Sequence, residues 1–151
     1  MIILVFGLPG SGKTTLAKAL AKLLRAVHWN ADEVREMVNA SIPGDSSERM
    51  EQARRMRFLC EGVHATGGRA IADFVCPTDE TREAFGEAFT IYVDRIRPDQ
   101  SRYADTRALF QPPKSCDVHY TVGMIPMDVI RKLSPISIST EGTVWAWGEA
   151  A

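Results

Sequence analysis

Cysteine, histidine and net charge are all scarce in this chain, and each shortage closes off a class of protein. Three cysteines occur in 151 residues: Cys60, Cys76 and Cys116. They are odd in number and form no C-x-x-C pair, so neither a disulfide framework nor a zinc site is expected, and a reducing compartment fits. The histidines, His28, His64 and His119, lack metal-ligand spacing and read as packing or surface residues. Lys and Arg total 18 against 19 Asp and Glu, a net charge of −1. No broad basic field is therefore present to hold nucleic acid. No apolar run is long enough to span a bilayer, so no membrane partner is expected. The apolar opening is too short for a secretory signal, and the expected location is cytoplasmic. No repeat, low-complexity tract or linker divides the sequence. Residues 1–151 read as one domain, with 45% hydrophobic and 25% charged residues.

What the chain does have is Gly7-Leu8-Pro9-Gly10-Ser11-Gly12-Lys13-Thr14, which fits G-x-x-x-x-G-K-[ST]. It follows the apolar run Ile2 to Phe6 and leads into the Ala/Leu/Lys-rich pattern Thr14 to Arg25. That strand–loop–helix setting gives the motif its meaning. Gly7, Gly10 and Gly12 permit backbone torsions closed to other residues, so a loop containing Pro9 and Ser11 can curl around a phosphate. Its N–H groups then point inward at the positive end of the following helix, which Thr14 and Thr15 open. Lys13 would reach the β- and γ-phosphates and Thr14 would ligate Mg²⁺. The expected cofactors are ATP and Mg²⁺.

Further along, apolar runs alternate with helical patterns. Strands are expected at Ala26–Trp29, Arg69–Val75, Phe89–Asp94 and Val118–Val122. Helices are expected at Glu33–Ala40, Glu48–Thr66, Asp79–Glu87 and Pro126–Leu133. Residues 95–114 read as an arginine-rich lid with a helix around Pro98 to Tyr103 and then a loop. In the tail, residues 134–151, Ile136 to Trp147 reads as a hairpin or as an irregular cover, and Trp145 and Trp147 would share a face if it is a strand. The alternation implies an α/β fold, a three-layer sandwich around a five-stranded parallel sheet with helices on both faces. Ligands of such sheets sit at the carboxyl ends of the strands.

Those ends carry chemistry. After the second strand come Asn30, Asp32 and Arg35. Asp32 would orient or deprotonate an acceptor hydroxyl, or hold the Mg²⁺ water shell; alternatively it caps a helix, with Arg35 as its surface partner. Asp73 lies in what should be a buried strand, so it needs a partner: Mg²⁺ through water, or a hydroxyl of Thr14 or Ser11. Arg49 and Gln52 share a helical face that would suit an anionic acceptor, although spacing alone favours a solvated face with Glu–Arg pairs. Arg95, Arg97, Arg102 and Arg107 would close over a triphosphate, exclude water and neutralise charge. Cys76 reads as a small buried thiol.

With these residues in view, the chain resembles the adenylylsulfate kinase (APS kinase) family of phosphate-loop kinases, from Met1 to about Val122. Asn30 to Arg35 is similar to that family's D-G-D-N-V-R, keeping Asp32 and Arg35. Glu48 to Arg55 is similar to D-R-E-E-N-I-R-R, keeping Arg49, Glu51, Arg54 and Arg55. Phe74-Val75-Cys76-Pro77, with Arg82 following, is similar to F-I-S-P and its downstream arginine. Asp105 to Phe110 is similar to D-P-K-G-L-Y. The resemblance implies transfer of the ATP γ-phosphate to the ribose 3′-hydroxyl of adenylylsulfate. Lys13, Asp32 and Arg107 would be catalytic. Asp32, Arg35, Arg49, Gln52, Phe74, Cys76 and Arg107 would meet substrate, and Arg102 would meet ATP. Thr14, Asp32 and Asp73 would serve the metal. Gln52 replaces an asparagine, Arg107 a lysine and Cys76 a serine. Gly44 or Ile42 stands in the region of a phenylalanine that stacks on the acceptor base. The lid is shortened and lacks a counterpart of N-F-T-G. A second, competing resemblance is to the polynucleotide kinase domain, through Asn30, Asp32, Arg35, Asp73 and Ile125 to Arg131; it implies a 5′-hydroxyl acceptor. A nucleotide or other small-molecule acceptor is the expected partner, with a homodimer or a non-catalytic nucleotide-binding module as further readings.

Overall fold

The computed structural model describes residues 1–38, 40–41 and 44–138. Five parallel strands form one sheet in the order β2-β3-β1-β4-β5. They are β1 (Ile2–Phe6), β2 (Val27–Asn30), β3 (Ala70–Asp73), β4 (Phe89–Asp94) and β5 (Val118–Thr121). The helices are α1 (Lys13–Leu24), α2 (Ala31–Met37), α3 (Ser46–Ala65), α4 (Asp79–Phe85), α5 (Ala104–Leu109) and α6 (Pro126–Ile138).

The period-2 alternation of a strand divides the core between the two faces. From fully buried β1, Leu4 and Phe6 join Val34, Met56, Cys60 and Phe85 under α2, α3 and α4. Ile3 and Val5 point the other way, into a cluster with Leu16, Leu20, Val129 and Leu133 of α1 and α6. This is the three-layer sandwich expected from a sequence whose central strand is apolar at every position.

The register sets the ends of three strands level. Asp73 is paired with Val5 on one side and with Asn30 on the other. The loop after β1, the polar end of β2 and the carboxylate of β3 therefore emerge side by side at the carboxyl edge of the sheet, where such folds bind ligands.

Several boundaries differ from the sequence expectation, each for a local reason. Helix α2 begins at Ala31 because Asn30, not Asp32, caps it: Asn30 Oδ1 accepts from the backbone N–H groups of Asp32 and Glu33 at 3.0 and 3.2 Å. Helix α3 begins at Ser46 because Asp45 and Glu48 form a reciprocal capping box. The expected helix around Pro98 to Tyr103 is a single 3₁₀ turn, Pro98–Gln100, and the loop expected after it contains α5. Helix α6 runs through Pro135 to Ile138, so residues 136–138 are helical where a hairpin or an irregular cover was expected. Residues 139–151, including Trp145 and Trp147, lie outside the described residues, as does Ile42.

Gly7 fixes how closely the loop after β1 approaches β4. Its φ is +151°, and a Cβ added there would lie 2.4 Å from the backbone oxygen of Val93. Gly10, at φ +83°, has only the tip of Ile96 nearby, at 3.8 Å. Gly7→Ala should therefore cost about 2 kcal/mol or more, against about 1 kcal/mol for Gly10→Ala, which bears torsional strain alone. Urea denaturation of the two variants checks the order; equal losses would contradict the close approach.

Candidate active site

The loop between β1 and α1 is closed on itself by its lysine. Lys13 is buried, and its Nζ donates to the Leu8 carbonyl at 2.8 Å, folding the side chain back over the loop. Burial lowers its pKa, opposed by the negative charges of Asp73 and Asp32. Gly12, at φ +93°, is the N-cap of α1 and supplies no side-chain acceptor, so the first-turn N–H groups remain available to an anion. Ser11 Oγ is buried and takes no protein partner among the described residues.

Beside this loop lies a buried carboxylate. Asp73 is 1% exposed. Its Oδ2 accepts from Asn30 Nδ2 at 2.9 Å and from His28 Nε2 at 3.2 Å. Asn30 Nδ2 also donates to Thr14 Oγ1 at 3.3 Å, tying the end of β2 to the phosphate-loop threonine. Burial pushes the Asp73 carboxyl upward, but the hydrogen bond from His28, the nearby Thr14 hydroxyl, the hydrogen bond from Asn30 and the charge of Lys13 outweigh it, leaving the pKa below the ordinary value. Asp73 Oδ1 is buried without a protein partner among the described residues. His28 and Asn30 are two residues apart on β2, so their side chains leave the strand on one face and converge on the same oxygen.

Across the opening, Asp32 sits in the first turn of α2, where the helix dipole favours a carboxylate. Its side chain is 76% exposed and accepts from Arg35 Nη2 at 2.8 Å. The pair is thus formed as expected, but Asp32 is free of the capping duty, which Asn30 performs. Gln52, on α3, is buried: its Nε2 donates to the Ala31 carbonyl at 3.0 Å and its Oε1 accepts from Arg55. Its amide thereby links α3 to α2. One turn earlier, Arg49 holds a buried Nε without a protein partner among the described residues.

These groups face one cleft of about 550 Å³. The phosphate loop contributes Pro9, Gly10, Lys13 and Thr14 to its wall, and the ends of β2 and β3 contribute Asn30, Asp32 and Asp73. Arg35, Arg49, Gln52, Phe74 and Cys76 line it as well, as do Arg102 and Tyr103. Gly7, Ser11, Gly12, Thr15 and Arg107 do not line the cleft. Thr15 points outward from α1. Arg107 Nη1 donates instead to the Pro98 carbonyl at 3.3 Å. Cys76 is buried at φ +44°, and burial pushes its thiol pKa up to about 12, so it is an inert wall residue. Arg82 holds this turn: it donates to the Cys76 and Gln111 carbonyls at 3.0 and 2.9 Å.

The segment from Arg95 to Lys114 is fastened near both ends. Ser101 Oγ donates to the Pro9 carbonyl at 3.2 Å. Gln111 N donates to the Pro77 carbonyl at 2.8 Å, and its Oε1 accepts from Asp79 N at 3.2 Å. Arg95 lies over the Tyr120 ring at 5.4 Å. Asn30 and Tyr103 were missing from the site residues expected from sequence. The signal for Asn30 was its place at a strand end, with one residue between it and the acidic pair Asp32-Glu33, a capping pattern; Tyr103 carried none.

The adenylylsulphate kinase family model matches residues 1–125 of this chain. The chain belongs to the adenylylsulphate kinase family. It is a phosphate-loop kinase. The adenylyl-sulfate kinase of Chloroflexus aurantiacus is 25% identical over 153 aligned residues, covering 84% of this chain and 82% of that one. The APS kinase CysC of Mycobacterium tuberculosis, in a complex with AMPPNP and APS, superposes with a TM-score of 0.72 at 23% identity, covering 88% of this chain and 96% of that one. A sugar kinase from Janibacter superposes with a TM-score of 0.65 at 18% identity, covering 91% and 96%. The same fold thus carries different acceptors, and membership of the adenylylsulphate kinase family rests on the sequence match. No helix among the described residues is long and apolar enough to cross a membrane.

The depressed pKa of Asp73 has a consequence for stability. A carboxyl that ionises lower in the folded chain than in the unfolded one stabilises the fold fully above the unfolded value, about 3.9, and loses that contribution as pH falls through the folded value. In urea titrations below about pH 4, wild type should therefore lose stability more steeply than Asp73→Asn. Parallel curves would mean that Asp73 is not held ionised.

Proposed function

We propose that this chain moves the γ-phosphate of ATP to a nucleotide hydroxyl, with the 3′-hydroxyl of adenylylsulfate as the acceptor. The observation that carries the reading is the cleft itself, in which Lys13 and Thr14 face Asp32, Arg35 and Arg49. One wall is built for a polyphosphate and the other for an anion. Arg35 and Arg49, whose Nε is buried, suit the phosphosulfate of the acceptor through forked, charge-assisted hydrogen bonds. Phe74 and Tyr103 offer aromatic faces for its base.

The residues present fit a magnesium ion. Asp73 Oδ1 is a buried oxygen without a protein partner among the described residues, and Asp73 and Thr14 line the same cleft. Hard oxygen donors of this kind suit Mg²⁺, which nucleotide sites hold by a few side chains together with phosphates and water. Thr14 would hold it, with Asp73 and Asp32 acting on its water shell. Bound there, it would supply neutralisation of phosphate charge.

Asp32 accepts the proton of the acceptor hydroxyl as the new O–P bond forms. The bond between the β–γ bridging oxygen and the γ-phosphorus breaks, and ADP leaves with that oxygen. Lys13 exchanges the Leu8 carbonyl for the β- and γ-phosphate oxygens. Arg102, and Arg107 once released from Pro98, add positive charge from the arginine-rich segment. That segment also excludes water, which would otherwise take the phosphoryl group.

Coupled ADP release should rise when adenylylsulfate is added. Asp32→Ala should lower that rate by about 10²–10⁴-fold, and Lys13→Ala by about 10²–10³-fold. Labelling of a 5′-hydroxyl oligonucleotide or a sugar in place of adenylylsulfate would replace the acceptor. ATP binding without turnover on any acceptor would make the chain a binding module.

A further inference from the structure

His28 is absent from the machinery described so far, yet it touches the most deeply buried charge in the cleft. It comes from β2, at the edge of the sheet, and its side chain is 12% exposed. Its Nε2 lies 3.2 Å from Asp73 Oδ2. A carboxylate oxygen only accepts, so in this contact the imidazole nitrogen is the one that carries and donates the hydrogen. Asn30 Nδ2 donates to the same oxygen at 2.9 Å.

The two donors saturate one side of the carboxylate and leave the other bare. Oδ1 is buried, has no protein partner among the described residues, and belongs to a residue lining the cleft between Thr14 and Asn30. A carboxylate rotates about its Cβ–Cγ bond unless its oxygens are distinguished. Asn30 Nδ2 spends one of its two hydrogens on Thr14 Oγ1, so it gives Asp73 a single bond. The imidazole supplies the second, independent bond.

We infer that His28 is a positioning residue for nucleotide-bound metal. By holding Asp73 Oδ2 it presents Oδ1 to the water shell of a divalent cation bound to the triphosphate. This rests on the reading of the cleft as a Mg–ATP site, and it assigns His28 no contact with nucleotide, metal or acceptor. Outer partners that orient a metal-binding carboxylate commonly contribute about 10–100-fold to metal affinity or activity.

The test is calorimetric binding of a non-hydrolysable ATP analogue, with excess Mg²⁺ and with chelator, to wild type, His28→Leu, His28→Gln and His28→Asn. The ratio of the two Kd values reads the metal contribution without turnover. His28→Leu should shrink that ratio by about tenfold and leave the chelator Kd unchanged. His28→Gln, whose amide nitrogen reaches as far as Nε2, should restore it, and His28→Asn, too short, should not. If His28→Leu does not fold, the Gln and Asn variants still give opposite results under the inference. An unchanged ratio in Leu and Asn overturns it, as does equal weakening with and without metal, which marks a purely structural histidine. A wild type that binds the analogue equally well with and without Mg²⁺ overturns the underlying Mg–ATP reading instead.

Discussion

A negative charge is kept in the interior at the carboxyl edge of the sheet, and much of the site follows from how it is accommodated. An isolated buried carboxylate is costly, so the chain must surround Asp73 with donors and a cation. Asn30, His28 and the nearby Lys13 meet that need. Each is thereby held in place as well: Asn30 at the start of α2, His28 on the edge strand, Lys13 against the loop it belongs to. The ends of β1, β2 and β3 are tied together by polar bonds where hydrophobic contact gives out.

The same accommodation leaves selected atoms unspent. Among the described residues, Ser11 Oγ, Trp29 Nε1, Arg49 Nε and Asp73 Oδ1 are buried without protein partners. All but Trp29 Nε1 belong to the cleft or its loop. Groups whose desolvation is unrewarded in the free protein are where a ligand gains most, because it supplies the missing bonds without paying that desolvation again. Gln52 makes the contrast. Its amide nitrogen is bonded to the Ala31 carbonyl of α2 and its oxygen to Arg55 of its own helix, so it already has protein partners where the other groups have none.

The fold was legible because its signals are local and repeat. A strand apolar at every position, a glycine-rich turn, and helices alternating with short apolar runs specify a parallel sheet without tertiary information. The phosphate loop was legible for the same reason. The acceptor side was only partly so. Arg35 and Asp32, one turn apart, were predictable partners, and the structure pairs them. Whether Gln52 faces ligand or a neighbouring helix depends on packing between α2 and α3, which spacing does not encode. Nor does spacing encode that His28 points inward: a lone histidine in a short strand has no pattern, and only the register of β2 against β3 brings it to Asp73. The arginine-rich segment was legible in composition but not in form, since α5 is six residues long and depends on its tethers.

Those tethers give the segment its mechanics. With Ser101 hooked to Pro9 and Gln111 clasped by Pro77 and Asp79, the span between them is a strap buckled at both ends. Such a strap bows outward at its middle and scarcely shifts at its buckles. Because one buckle is a carbonyl of the phosphate loop itself, any strain put on the strap from inside the cleft is felt directly by that loop.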